Sequence, residues 1–185
     1  KGHQNVIMVT LGTGVGGGII VDGKIIAGSH GAGGELGHIH MNDDETDTCG
    51  CGNKGCLEQY ASATGIVRMA KKQLAKETRD TKLTAFETLT AKDIFDAAKE
   101  GDEVALELVD GLCTMLGTAL ANVAAVADPE IFVIGGGVSR AGDILIKGIQ
   151  KKFEEKAFHA CRATDISLAT LGNDAGMYGC VRLLF

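Results

Sequence analysis

The chain has 185 residues, of which 45% are hydrophobic, and its formal net charge is −6. That length suffices for one sizeable core, whereas the acidic balance argues against nucleic acid as a partner, because phosphate backbones attract clustered Lys and Arg. No apolar run approaches the length of a membrane span, and no secretory signal is visible. Six cysteines, three of them in one short loop, are not typical of a disulfide framework and indicate a reducing, cytoplasmic compartment.

The first part of the chain predicts antiparallel strands followed by loops. Apolar and β-branched residues predict three strands, over Asn5–Leu11, Gly17–Val21 and Lys24–Ala27. The dipeptide Asp22-Gly23 is typical of a two-residue hairpin turn, because both central positions of that turn need a positive φ. Residues 28–37 are expected to form a glycine-rich loop, and residues 41–55 a polar loop with the clustered cysteines at its end.

The remainder predicts helices and two short strands. Helices are expected from Ser62 or Thr64 to about Glu77, from Thr90 to Gly101, and over Glu103–Ala127, Ala141–Ala157 and Asn173–Leu184. A short buried strand is expected over Ile131–Ile134 and a last strand over Asp165–Thr170. Three antiparallel strands, a helical insert and then alternating helix and strand are the order of an α/β domain of the ribonuclease-H-like, actin-type ATPase kind.

A glycine-rich loop follows the first strand. Gly12, Gly14 and Gly17 match G-x-G-x-x-G, but a dinucleotide site needs a helix directly after its glycines, and here another strand follows. One alternative is that the glycines only permit a tight, bulged hairpin. The other is that backbone N–H groups and the Thr13 hydroxyl bind the terminal phosphate of a nucleotide.

The cysteines of the polar loop predict a metal site. Cys49, Cys51 and Cys56 are separated by glycines that let three sulfurs face one point, and zinc prefers four nitrogen or sulfur ligands. The fourth ligand would be His38 or His40, and an extended segment does not distinguish residues two apart. The alternatives are free thiols or a strained Cys49–Cys51 bridge.

Two glutamates accompany the cysteines. Glu35 precedes His38, and Glu58 follows Cys56 by two residues, so a metal that joins the segments would bring both carboxylates toward one cavity. Paired carboxylates and an imidazole accept hydrogen bonds from the hydroxyls of a sugar or polyol. Alternatively, Glu58 only interacts with a helix dipole. The acidic run Asn42–Asp47 lacks the ligand spacing of a calcium loop and is expected to be solvated.

Five motifs in this order resemble the ROK family of repressors, open reading frames and kinases, and the likeness covers essentially the whole chain. They read LGTGVGGGI, GELGH, CGCGNKGCLE, ASATGIVRMA and DPEIFVIGGGVS. Within the family, the chain is most similar to the ATP-dependent glucokinases of Gram-positive bacteria, which phosphorylate glucose to glucose 6-phosphate at the entry to glycolysis.

The resemblance implies roles for particular residues. Glu35, His38 and Glu58 would bind glucose, and His38 rather than His40 would complete a structural Zn²⁺ site with the three cysteines, in a zinc loop over residues 38–56. A second group would bind ATP with Mg²⁺, namely Gly12, Thr13, Gly14 and Gly16 at the phosphates and Gly135, Gly136 and Gly137 near the adenosine.

The chain also departs from the family pattern. Family kinases carry an N-terminal half with a D-x-G-x-T phosphate loop and an Asn-Asp pair whose Asp is the general base, and neither is found here. We therefore expect residues 1–185 to be the C-terminal sugar- and nucleotide-binding domain of a two-domain kinase, without its N-terminal domain and inactive alone. The resemblance also implies a homodimer. The alternatives are the sugar-sensing domain of a ROK repressor, or a kinase for N-acetylmannosamine, fructose or another hexose.

Overall fold

A single mixed sheet forms the centre of the fold. The computed structural model describes residues 2–172 together with Ala175 and Gly179, so most of the predicted helix over Asn173–Leu184 lies outside the described residues. The strands are β1 (Val6–Leu11), β2 (Val15–Val21), β3 (Lys24–Ile25), β4 (Ile131–Gly135) and β5 (Asp165–Leu168), in the spatial order β3-β2-β1-β4-β5. β1 pairs antiparallel with β2 and parallel with β4, which in turn pairs parallel with β5.

The helices pack against the sheet and against one another. They are α1 (Glu58–Ala61), α2 (Ala63–Leu74), α3 (Ala91–Lys99), α4 (Glu103–Ala127) and α5 (Asp143–Lys156). Helix α4 lies at the centre of the helical layer and packs against α5 and α3. The crossing with α5 is close, because a Cβ at Gly117 would lie 2.9 Å from the backbone nitrogen of Phe153. Leu116 of α4 and Ile134 of β4 are among the fully buried core side chains.

Helix α4 corrects one expectation. By length and composition alone, α4 is long and apolar enough to cross a membrane. The expectation that no apolar run approaches the length of a membrane span was therefore wrong for this helix. In the fold, 61% of its most apolar 18-residue window is buried against other elements. Such a helix is weak evidence for a membrane, since the core helix of a globular domain has the same composition.

Several boundaries follow from capping and from glycine. Ser62, not Thr64, caps α2 by accepting a hydrogen bond from the amide of Gly65 at 2.9 Å, and Thr90 forms the predicted cap of α3 as part of a capping box with Asp93. α5 begins at Asp143 rather than Ala141, because Gly142 has a φ of +74° and interrupts the helical turn before it. β2 begins two residues before the predicted start, at Val15.

Gly37 lies where the glycine-rich loop crosses β2, and an added Cβ there would lie 2.1 Å from the carbonyl oxygen of Val15. We expect Gly37→Ala to lower the free energy of unfolding by about 2–3 kcal/mol, because backbone atoms would have to move apart. Gly111→Ala is the matched control, since that exposed position in α4 has open space around it. The control should stabilise by up to about 1 kcal/mol through helix propensity. Urea denaturation measures both, and equal effects would contradict the expectation.

Candidate functional site

Four metal-ligand side chains meet in the polar loop. The donor atoms of His38, Cys49, Cys51 and Cys56 all lie within 4.8 Å of one another. The sulfurs of Cys51 and Cys56 are 3.6 Å apart, close to the about 3.8 Å that a tetrahedral site with Zn–S bonds of about 2.3 Å requires. The loop can turn this tightly because Gly52 and Gly55 have φ values of +92° and +73°. The donor set and spacing therefore fit a tetrahedral metal ion.

The two candidate histidines have different environments. Nδ1 of His38 lies 3.8 Å from the sulfur of Cys49, so one ring nitrogen faces the cluster. His40 is turned away, with Nδ1 3.0 Å from the carbonyl of Lys54 and Nε2 2.9 Å from the carboxylate of Asp43. That carboxylate raises the pKa of His40. Geometry thus favours His38 as the fourth ligand, the choice that the family resemblance implies.

Without a cation, the thiols of the cluster differ in acidity. Burial raises the pKa of Cys49 to about 12, and burial also raises that of Cys56. Hydrogen bonding from the backbone of Asn53 lowers the pKa of Cys51. A divalent cation would reverse the first two shifts, because it stabilises thiolates directly.

His38 lies between the two candidate carboxylates. Its Nε2 is 3.9 Å from Glu35, whose side chain is 60% exposed, and its Nδ1 is 3.9 Å from Glu58, whose side chain is 24% exposed. Glu58 lines a cavity of about 450 Å³, which Glu35 and His38 do not line. Glu58, the first residue of α1, thus lines the cavity, while Glu35 lies on the other side of the His38 imidazole.

The predicted phosphate loop connects β1 to β2 next to this cavity. The amide of Gly12 donates to the carbonyl of Gly14 at 3.0 Å, and the exposed Thr13 forms the tip. Gly12, Gly14 and Gly16 do not have a positive φ, and an added Cβ would have open space at Gly12 but a close contact at Gly14 and Gly16. A Cβ at Gly14 would lie 2.5 Å from a carboxylate oxygen of Glu58.

The start of α2 holds this loop in place. The amide of Ala63 donates to the carbonyl of Gly12 at 2.8 Å, and the hydroxyl of Thr64 donates to the carbonyl of Thr13. The positive end of the α2 dipole therefore lies beside the loop tip, where it would favour an anion. Sequence reasoning treated Thr64 only as a possible helix cap and missed this contact.

Three neighbouring cavities share lining residues, and together we call them the groove. The cavity at Glu58 shares Thr13, Thr64 and Arg68 with a second cavity beside the loop. The second cavity shares Ala63 and Ala91 with a third, of about 280 Å³, which Phe95 and Gly137 also line. The groove thus runs from the metal cluster, past the glycine loop, to the end of β4.

The three consecutive glycines at the end of β4 line different cavities. Gly137 lines the groove, whereas Gly135 and Gly136 line a different cavity with Met8 and Thr10. Gly136 is required by the fold, since its φ is +86° and an added Cβ would lie 2.5 Å from the carbonyl oxygen of Leu11. Gly137 thus lies at the groove, whereas Gly135 and Gly136 lie at a neighbouring cavity of about 470 Å³.

Known proteins match the chain over nearly its whole length. The model of the ROK family matches residues 1–184. A glucokinase of Halalkalibacterium halodurans is 45% identical over 96% of this chain and 55% of its own length. A crystal structure of a ROK family glucokinase from Streptomyces griseus in complex with glucose and AMPPNP superposes with a TM-score of 0.86, at 36% identity over 99% of this chain and 61% of that one. A xylose repressor of Caldicellulosiruptor bescii is 30% identical over 98% of this chain and 46% of its own length.

The mixed sheet and the groove define an α/β domain with the actin-like ATPase fold of sugar kinases. The family match then gives the assignment: the chain belongs to the ROK family. It spans little more than half the length of the glucokinases it matches.

Proposed function

We propose that the protein of which this chain is part is a glucokinase, which transfers the γ-phosphoryl group of ATP to the 6-hydroxyl of glucose. The observation that carries the proposal is the row of adjoining cavities, with Glu58 at one end and Gly137 at the other. The relatives with the higher identity are glucokinases, and the Streptomyces griseus structure holds both a sugar and a nucleotide.

Each part of the groove has a role in this proposal. Glu58 in the cavity wall binds sugar hydroxyls, and Glu35 and His38, which lie next to Glu58 without lining the cavity, complete the sugar site, since carboxylates and an imidazole offer acceptors. The loop with Gly12, Thr13, Gly14 and Gly16 approaches the ATP phosphates, together with the start of α2 and a bound Mg²⁺. Gly137 and Phe95 contact the nucleoside.

The metal cluster has a structural role in the proposal. Zn²⁺ would be held by His38 and the three cysteines, and when bound it fixes the loop that carries the sugar-binding residues. Because one ring nitrogen of His38 faces the cluster and the other faces Glu35, the same imidazole can serve both as a ligand and as a contact to the sugar.

The general base comes from outside this chain. Two aspartates line the groove, but Lys72 and Arg68 hold the pKa of Asp47 below its usual range, and Lys92 does the same for Asp96. A carboxylate stabilised as an anion is a poor proton acceptor at neutral pH. The chain therefore supplies binding and positioning, a second domain supplies the base, and the isolated chain does not turn over substrate.

Other aspects of the proposal rest on the family alone. We place the protein in the cytoplasm as a homodimer that binds neither nucleic acid nor membrane. The second candidate is the sugar-sensing part of a repressor, which the xylose repressor relative favours. The intact phosphate loop and groove favour the kinase, because a repressor does not need to hold ATP.

A hexose panel tests the proposal. The full-length protein is assayed for ATP-dependent phosphorylation of glucose, fructose, N-acetylmannosamine and N-acetylglucosamine, with residues 1–185 alone beside it. We expect turnover of glucose by the full-length protein and none by residues 1–185. Preference for another hexose would correct the substrate, and sugar binding without any turnover would favour the repressor.

A further inference from the structure

Arg68 is the centre of a polar cluster on the inner side of α2. Its Nη1 donates to Asp47 at 2.6 Å and its Nη2 to Glu45 at 2.7 Å. Nη2 also donates to the carbonyl of Gln59 at 2.9 Å, and the guanidinium lies 5.4 Å from the ring centre of Tyr60. The Arg68 side chain thus connects α2 to α1 and to the acidic loop, which lies more than twenty residues earlier in the sequence.

The acidic loop is anchored at Glu45, although Asp43, Asp44 and Asp47 are exposed. The side chain of Glu45 is only 4% exposed and accepts further hydrogen bonds from Tyr60 at 2.7 Å and Lys72 at 3.1 Å. The expectation that the whole run Asn42–Asp47 is solvated was therefore wrong at Glu45. A buried carboxylate with this many charge-assisted partners fixes the path of its loop.

The same cluster contacts residues next to the candidate metal ligands and next to Glu58, the carboxylate proposed to bind the sugar. The side chain of Gln59 accepts from the amide of Cys56 at 3.0 Å and donates to the carbonyl of Asp47 at 2.9 Å. Gln59 follows Glu58 directly, and Arg68 and Asp47 line the same cavity as Glu58. A displacement of Arg68 would therefore move α1 and the metal loop together.

We propose that Arg68, Glu45 and Asp47, which we call the Arg68 clamp, position Glu58 and the metal loop for binding of the sugar. Arg68 contacts the backbone of Gln59 and so positions the neighbouring Glu58. It takes no part in the reaction. Its guanidinium is already occupied by two carboxylates and a carbonyl, so it is a positioning residue and does not bind phosphate. The proposal rests on the proposed function, because it assumes that the cavity at Glu58 holds a hexose.

The test compares two Arg→Lys variants of the full-length protein. Arg68→Lys keeps the charge but loses the planar fork that binds Glu45 and Asp47 together. Arg79→Lys is the matched control, since Arg79 forms a similar fork with Glu77 and Glu107 away from the groove. Thermal melting of each variant shows whether the protein remains folded.

Two readouts distinguish positioning from a general structural role. For Arg68→Lys we expect KM for glucose to rise about 10-fold, with kcat and KM for ATP changed less than about 2-fold. Hydrogen exchange at the amides of Asp47 and Cys56, which bond to Glu45 and Gln59, should become faster. Arg79→Lys should change neither, and Glu45→Gln should follow Arg68→Lys in both.

The outcomes separate the two proposals. If the wild-type protein phosphorylates no hexose, the proposed function fails. The clamp is then tested by the affinity for glucose or xylose, which calorimetry measures instead of KM. A folded Arg68→Lys variant with unchanged sugar affinity would overturn the clamp, as would equal losses of kcat and of affinity for ATP and glucose. Faster exchange with weaker sugar binding and unchanged affinity for ATP would support it.

Discussion

Replacing Glu58 by glutamine in the full-length protein should lower kcat/KM for glucose by about 100-fold, because a charged acceptor of sugar hydroxyls is lost. Glutamine has nearly the same shape, so α1 can keep its place and the loss reflects the acceptor itself. The glutamine amide also places an N–H donor where the sugar hydroxyls need an acceptor. A coupled assay that detects glucose 6-phosphate measures the effect over a range of glucose concentrations.

The control for this change is Glu87→Gln, which removes the same charge from an exposed side chain outside the groove. Both variants lower the net negative charge by one, so a difference between them cannot come from net charge. A Glu58→Gln enzyme that retains kcat/KM within about 3-fold of wild type would show that this carboxylate does not bind the sugar.

Local motifs made the metal cluster and its neighbours predictable. Cys49, Cys51 and Cys56 lie within eight residues of one another, so their spacing alone restricts them to one loop. The choice between His38 and His40 could not be made from spacing, because residues two apart share a face in an extended segment. The structure distinguishes them through the environment of each ring, as His40 is already bound to Lys54 and Asp43.

Long-range contacts were not predictable in the same way. Lys72, in the last turn of α2, bonds to Glu45 and Asp47, residues that lie far from it in sequence. No periodicity in a single chain shows which acidic residue will be buried against a given arginine. The sequence also does not show that Gly135 and Gly137 line different cavities on either side of the turn at Gly136.

Replacing Cys56 by serine should remove the metal and with it much of the stability of the sugar loop. The Cys56 sulfur is fully buried in the cluster, and a serine hydroxyl is a poor ligand for zinc at neutral pH. We expect the zinc content of the full-length protein to fall from about one ion per chain to below about 0.2, and Tm to fall by about 10 °C. Metal analysis by inductively coupled plasma mass spectrometry and thermal melting measure the two effects.

Cys113→Ala separates loss of the metal from loss of a buried thiol. Cys113 is also buried, and burial raises the pKa of its thiol to about 12, but it lies away from the cluster in α4. This variant should keep its zinc and its affinity for glucose, even if packing costs it a few degrees of Tm. Cys56→Ser should lose affinity for glucose as well, because in the proposed function zinc fixes the loop next to His38 and Glu58. Full zinc content in Cys56→Ser, or unchanged glucose affinity after zinc is lost, would contradict the structural role assigned to the cluster.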